Sequence, residues 1–189
     1  MENRISGFFK GQFLVAMPSL ADPNFFQTVT CICEHGPEGA VGIVVNRVHP
    51  SLCGKNIFQE LKLECIAEAK SIPIYIGGPV HINEIFVLHG PPFGWKGSLM
   101  ITPSIAMSNT ADIIKAVAMG SGPKSFIITL GCAGWEAEQL ESEIKENVWL
   151  TGPLFEEIIF DIPVESRWEV VMEKMGIGLA FLSDRPGHA

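Results

Sequence analysis

Positive charge is scarce and scattered: thirteen Lys and Arg are spread over 189 residues, never closer than six positions apart, against twenty-one Asp and Glu. Non-specific affinity for DNA or RNA comes from several cations neutralising phosphates together, so a net charge of −8 without a basic cluster disfavours direct nucleic-acid binding. Paired cysteine spacing is also missing. Cys31, Cys33, Cys53, Cys65 and Cys132 are odd in number and contain no C-x-x-C. A chain of this size needs no disulfide framework, so reduced thiols and a cytoplasmic location are expected. No run of about 18 apolar residues exists to cross a membrane. The early apolar run Phe13–Met17 is closed by Pro18 and is too short for the core of a signal peptide. The phosphate-cradling patterns G-x-G-x-x-G and G-x-x-x-x-G-K-[ST] are absent, as is G-x-S-x-G. No Ser/Gly linker, charge block or low-complexity tract separates two halves.

What is present is a core. The chain is 47% hydrophobic with a mean hydropathy of +0.28, which excludes disorder as the main state. At 20.6 kDa it can bury roughly 70% of its unfolded surface around one centre. One domain over residues 1–189 is the expectation, with 1–10 as a flexible N-terminal segment.

Five Gly-Pro dipeptides punctuate the chain, at Gly36, Gly78, Gly90, Gly122 and Gly152. Glycine relaxes the backbone and proline fixes φ, so each predicts a turn. Between them, short Val/Ile/Phe-rich runs predict strands at Phe13–Met17, Thr28–Glu34, Ala40–Asn46, Pro73–Ile76, Ile85–His89, Ser98–Thr102, Ser125–Leu130 and Glu157–Phe160. The short Glu34–Gly39 connection predicts an antiparallel hairpin. Helices are predicted after Asn109 up to Gly120, over Glu136–Glu146, near Ile57–Cys65, and at the end. There Trp168, Val171, Met172 and Met175 form a stripe stopped by Gly176. Strands in runs with helices inserted late give an α+β class, mainly antiparallel, with about four helices flanking the sheet.

Several residues invite chemistry. On a regular strand Cys31, Cys33 and His35 share one face, where thiolates and an imidazole suit zinc, but a fourth ligand is missing and buried cysteine is common in cores. Cys132, in Gly131-Cys132-Ala133-Gly134-Trp135, stands at a predicted strand-to-helix turn where a helix N-terminus lowers a thiol pKa; the five glutamates that follow oppose this. Gly77-Gly78-Pro79-Val80 reads as a glycine-rich turn. No catalytic, cofactor or metal residue is therefore assigned. The polar strand-end residues Glu34, His35, Asn46, Arg47 and His89 form the candidate ligand pocket, with Arg47 as a planar donor fork and the histidines as groups titrating near neutrality. Residues 136–173 hold eleven acids against Lys145 and Arg167, a net of −9, and the rest of the chain sums to +1. They read as solvated helix faces or as an acidic docking surface for a protein partner.

With these segments laid out, the chain resembles the YqgE/AlgH family of bacterial proteins. The resemblance rests on Gly11–Pro18, Asp22–Phe26, Cys33-Glu34-His35, Gly42–Arg47, Gly77–Val80, Gly131–Trp135, Gln139-Leu140-Glu141, Asn147–Leu150 and Arg167-Trp168, and runs from about Gly11 to the C-terminal Ala189. It implies an α+β domain whose bent sheet forms a partial barrel flanked by helices. It carries over no activity, cofactor or catalytic residue. One branch bears the label of a transcriptional regulator of exopolysaccharide synthesis. The reading is a cytoplasmic regulatory or interaction domain without catalytic activity. The alternative is a small-molecule-binding protein or enzyme using the strand-end pocket.

Overall fold

Strand and helix alternate irregularly along residues 9–177, which the computed structural model describes. The order is β1 (Gln12–Ala16), β2 (Val29–Gly36), β3 (Gly39–Val44), β4 (Val48–Cys53), α1 (Gly54–Glu60), β5 (Pro73–Ile76), β6 (Val80–His89), β7 (Leu99–Thr102), β8 (Ile105–Ser108), α2 (Ala111–Ala118), β9 (Phe126–Trp135), α3 (Gln139–Lys145), β10 (Trp149–Pro153), α4 (Glu156–Phe160) and α5 (Arg167–Lys174). The class is α+β, as expected, with five helices among the described residues rather than four. Most of the N-terminal segment expected to be flexible, residues 1–8, lies outside the described residues. So does the C-terminal end of the family resemblance, 178–189.

The ten strands form one sheet that does not close, in the order β10-β1-β2-β3-β9-β6-β8-β7, with β4 and β5 attached beside β9. All pairings are antiparallel except β5 with β9. β9 joins the two halves. Its start pairs with β5 and β6, through Ile128 opposite both Ile74 and Val87, and its end pairs with β3 through Gly42 and Ala133. A single core wrapped by the bend draws on both halves: Phe13, Val15, Cys31 and Ile43 meet Tyr75, Phe86, Leu88 and Ile127, and α4 and α5 cap them with Ile158, Ile159, Trp168 and Met172. On the opposite face α3 covers Leu14, Ala16 and Ile32 through Leu140, and α1 and α2 cover Ile74, Val87 and Ile128.

The hairpin between β2 and β3 is antiparallel, tightened to Gly36–Gly39. Three of the Gly-Pro pairs lie between elements, Gly36-Pro37 ends β2 and opens the hairpin turn, and Gly152-Pro153 closes β10. β10 is the sheet's edge, where a missing N–H is tolerated. The final helix buries Trp168, Val171 and Met172 and ends before Gly176, as its stripe predicts.

Other expectations are corrected. Glu157–Phe160 is helical, not extended: the N–H groups of Asp161 and Ile162 both donate to the Glu157 carbonyl, at 2.9 and 2.8 Å. Ile158 and Ile159 are both fully buried there, which a strand with one covered face does not allow. β4, β8 and β10 are additional strands. β6 begins at Val80, five positions before the expected start. The turn expected at Cys132 is also absent, since β9 runs through Gly131-Cys132-Ala133-Gly134-Trp135 and α3 begins only at Gln139.

Candidate functional site

A β-bulge decides the chemistry of β2. Pairing with β3 shifts between Ile32 and Glu34, so Glu34 faces Val41 and His35 faces Ala40. One extra residue reverses the alternation of side chains beyond it. Cys31 and Cys33 therefore point into the central core, while His35 lies on the other face beside α3. The shared face expected for Cys31, Cys33 and His35 does not form. Among the described residues no group of three or more His, Cys, Asp or Glu is arranged to hold a metal ion. Contact with Cys31, and then burial, pushes the Cys33 thiol well above its ordinary pKa. Burial likewise pushes Cys132 up, the reverse of what a thiolate nucleophile needs.

Each of the five strand-end residues is engaged by the fold. The Phe9 N–H donates to His35 Nδ1 (3.1 Å), so Nε2 carries the ring hydrogen toward Glu141 Oε1 at 3.0 Å. Glu34 pairs with Lys10 at 3.1 Å and borders a surface groove of about 370 Å³ at the hairpin with Glu38 and Trp135. Asn46 accepts from the Val29 N–H and donates to the Gln27 carbonyl, both at 2.8 Å. Arg47 donates to the carbonyls of Pro23 (2.7 Å) and Phe26 (2.9 Å), and burial lowers its pKa. Asn46 and Arg47 thus meet, clamping the 23–29 connection. His89 is fully buried in the other half of the sheet. Its Nδ1 lies 2.7 Å from the Gly90 carbonyl and donates, so Nε2 accepts from the Ser108 hydroxyl at 2.9 Å. Burial lowers the His89 pKa, with the Gly90 carbonyl opposing.

Two further polar knots were not legible in the chain. Glu143 accepts from the indoles of Trp135 (3.0 Å) and Trp149 (2.7 Å) with one oxygen and from Gln139 (2.8 Å) with the other. Arg167 is 4% exposed, donates to the carbonyls of Ile162 and Val45 and to the Tyr75 hydroxyl, and lies over the Tyr75 ring. Nothing marked Glu143 among its neighbouring glutamates, and Arg167 carried no signal beyond its place in the resemblance.

The acids of 136–173 divide between the two faces of the sheet. Those around α3 sit with Leu140 on one face, and those of α4 and α5 sit with Trp168 on the other. Several already have partners: Glu141 with His35, Glu157 with Lys174 at 2.9 Å, and Glu156 with the Ser104 hydroxyl.

One open arrangement keeps most of its polar side chains free. A groove of about 360 Å³ separates β6 from the start of α2. Leu61, Leu63, Ile85 and Ile114 supply its apolar lining, and Asn83, Glu84, Asn109 and Lys115 its polar one. Glu84 pairs with His81 at 3.1 Å. The Asn83, Asn109 and Lys115 side chains have no hydrogen-bond or ion-pair partner among the described residues. Its residues are drawn from three distant stretches of chain, so no linear spacing announced it.

Fold and site together define an α+β domain with an open sheet and a surface groove at a strand edge. A family model described as AlgH-like matches residues 13–180. A UPF0301 protein of Desulforapulum autotrophicum is 50% identical over the full length of both chains, and one of Pseudomonas aeruginosa is 43% identical over 96% of each. The solution structure of the AlgH protein from Pseudomonas aeruginosa superposes with a TM-score of 0.81 at 41% identity, covering all of both chains. A crystal structure from Corynebacterium diphtheriae, at 21% identity, shares the fold with a TM-score of 0.74 over 92% of this chain and 90% of that one. The chain belongs to the AlgH-like, UPF0301 family.

Proposed function

We propose that this protein is a cytoplasmic interaction domain without catalytic residues, regulatory in role, and that it binds its partner in the groove between β6 and α2. One observation carries this reading. The strand-end polar residues are all engaged in holding the fold, whereas the groove combines unpartnered amides and an ammonium with exposed apolar surface. That mixture is typical of binding sites, where apolar lining supplies affinity and a few polar groups supply orientation. Any link to transcription runs through a protein partner, since the thirteen basic residues are dispersed along the chain.

The test is capture from the native cytoplasm with three proteins: wild type, a groove variant carrying Leu61→Asp and Lys115→Glu, and an α5 variant carrying Glu169→Lys and Glu173→Lys. The groove variant should lose the captured protein while keeping the wild-type melting temperature. Loss with the α5 variant alone moves the binding surface to the acidic helix and defeats the groove.

A further inference from the structure

Three segments of chain meet around the groove, and two of them carry a local departure from regular backbone there. Between the pairs Val80–Cys132 and Ile85–Leu130, four residues of β6 stand against Gly131 alone, so 81–84 bulge out of the sheet, with His81 at φ +50°. A bulge re-aims side chains, and this one delivers Asn83 and Glu84 to one wall of the groove. β8 ends its pairing with β6 at Ser108, and the chain turns through Asn109 into α2. Ala111 and Lys115, one turn apart on the same face of α2, form the opposite wall. Past α1, Lys62 at φ +54° separates Leu61 from Leu63, and both line the hollow. Ile85 and Ile114 belong to the core behind it and make its inner lining apolar.

We propose that this groove binds a free α-amino acid with an aliphatic side chain. The proposal goes beyond the reading of the groove as a partner's binding face and stands or falls without it. Opposite charges face the hollow from opposite walls: Glu84 on the bulge and Lys115 on α2 are the anion and the cation of the lining, and no ion pair joins them among the described residues. Glu84 meets His81 at 3.1 Å, but both side chains are more than half exposed, and such a surface contact yields readily to a ligand. An amide accompanies each charge, Asn83 beside Glu84 and Asn109 on the wall of Lys115. The ligand carboxylate accepts from the Lys115 ammonium and the Asn109 amide N–H, and its ammonium donates to the Glu84 carboxylate and the Asn83 amide oxygen. Its aliphatic side chain lies against Leu61, Leu63, Ile85 and Ile114. A carboxylate alone leaves Glu84 repelling it, and an amine alone leaves Lys115 doing so, whereas a zwitterion matches both walls. The volume of about 360 Å³ falls in the range that takes small molecules.

The probe is L-leucine, titrated to about 10 mM into the isotope-labelled full chain at about pH 7, where it carries both charges. Isocaproate is the same molecule without the ammonium, isoamylamine the same without the carboxylate, and alanine a zwitterion with little apolar side chain. N-acetyl-leucine amide keeps the side chain and masks both charges. The expected result is saturable movement of the amide signals of residues 61–63, 83–85 and 109–115, with each of the four other compounds binding at least about fivefold more weakly than leucine. Lys115→Gln should erase the advantage of leucine over isoamylamine, and Glu84→Gln its advantage over isocaproate. Both side chains are exposed, so the two variants should keep the wild-type melting temperature. Unmoved groove signals with leucine overturn the proposal. Leucine binding unchanged in both variants overturns it as well, since the charged walls then take no part. Equal binding of N-acetyl-leucine amide overturns the zwitterion and makes an apolar side chain of a protein the occupant. Retained capture by the groove variant defeats the partner reading alone and leaves this titration to decide the ligand.

Discussion

Trp168 shows how one side chain ties a helix to the sheet. It is 7% exposed, packs in the central core, and its indole N–H donates to the Ala16 carbonyl of β1 at 3.0 Å. Removing such a residue leaves a cavity and an unmet acceptor, at a cost of about 3–5 kcal/mol. Trp168→Ala should therefore lower the melting temperature by roughly 6–20 °C, at about 2–4 °C per kcal/mol for a chain of this size. An unchanged melting curve would show that the α5 face is not packed as described. His89 makes the complementary case for pH. Burial holds its pKa below the ordinary 6.5, so the unfolded chain takes up a proton at that position before the folded one does. The stability tied to its neutral form is present above 6.5 and is lost as pH falls from there toward the folded value. Replacing His89 with Gln should leave a less stable protein whose urea midpoint drops less than wild type between about pH 7.5 and 5.5. An identical drop in both proteins excludes His89 as the group responsible.

At the scale of elements, β-bulges are the departures that matter. The bulge in β2 turns His35 away from the cysteines and toward Glu141. The irregularity between β6 and β9 frees residues 81–84 from pairing. Gly131 enables the second: its φ is +73°, and a Cβ there would stand 2.6 Å from the Gly78 carbonyl oxygen and 2.9 Å from that of Val80. Gly131→Ala should cost more than about 2 kcal/mol through backbone strain and displaced neighbours. Gly134→Ala, where the nearest contact is 3.7 Å from Val80, should be neutral or stabilising by up to about 1 kcal/mol. Denaturant midpoints for the pair check this, and equal midpoints reject the close crossing at Gly131. Periodic hydrophobicity made β1, β2, β3 and β5 and the α5 stripe legible in the chain. It missed β4, β8 and β10 because these are short or edge strands, two of them containing proline, with little alternation to detect. It misread α4 because Ile158, Ile159 and Phe160 have strand-like side chains, and only packing against α5 selects a helix there.

The whole molecule carries its excess acid in one stretch of sequence but on two faces of the sheet. A net charge of −8 with cations dispersed along the sequence disfavours the joint neutralisation of phosphates that binding to a duplex needs. Electrophoretic or fluorescence titration at about 150 mM salt should show no complex with duplex DNA below about 1 µM. A sequence-specific complex in that range refutes the expectation and makes the basic residues worth locating in three dimensions.

Composition and linear spacing determined that this chain folds around a core, has no basic cluster along its sequence and has no paired cysteine spacing, because these depend on totals and on intervals between residues. Local pattern determined the α+β class, the β2–β3 hairpin and the buried face of α5, because each is encoded within a few turns or residues. Tertiary structure decided the rest. Whether Asn46 and Arg47 meet a ligand or the 23–29 connection depends on contacts about 20 positions away. The same holds for His35, whose partner Glu141 is 106 positions distant, and for a groove assembled from α1's end, β6 and α2. Such juxtapositions arise only when the sheet bends around one core, and no linear spacing records them.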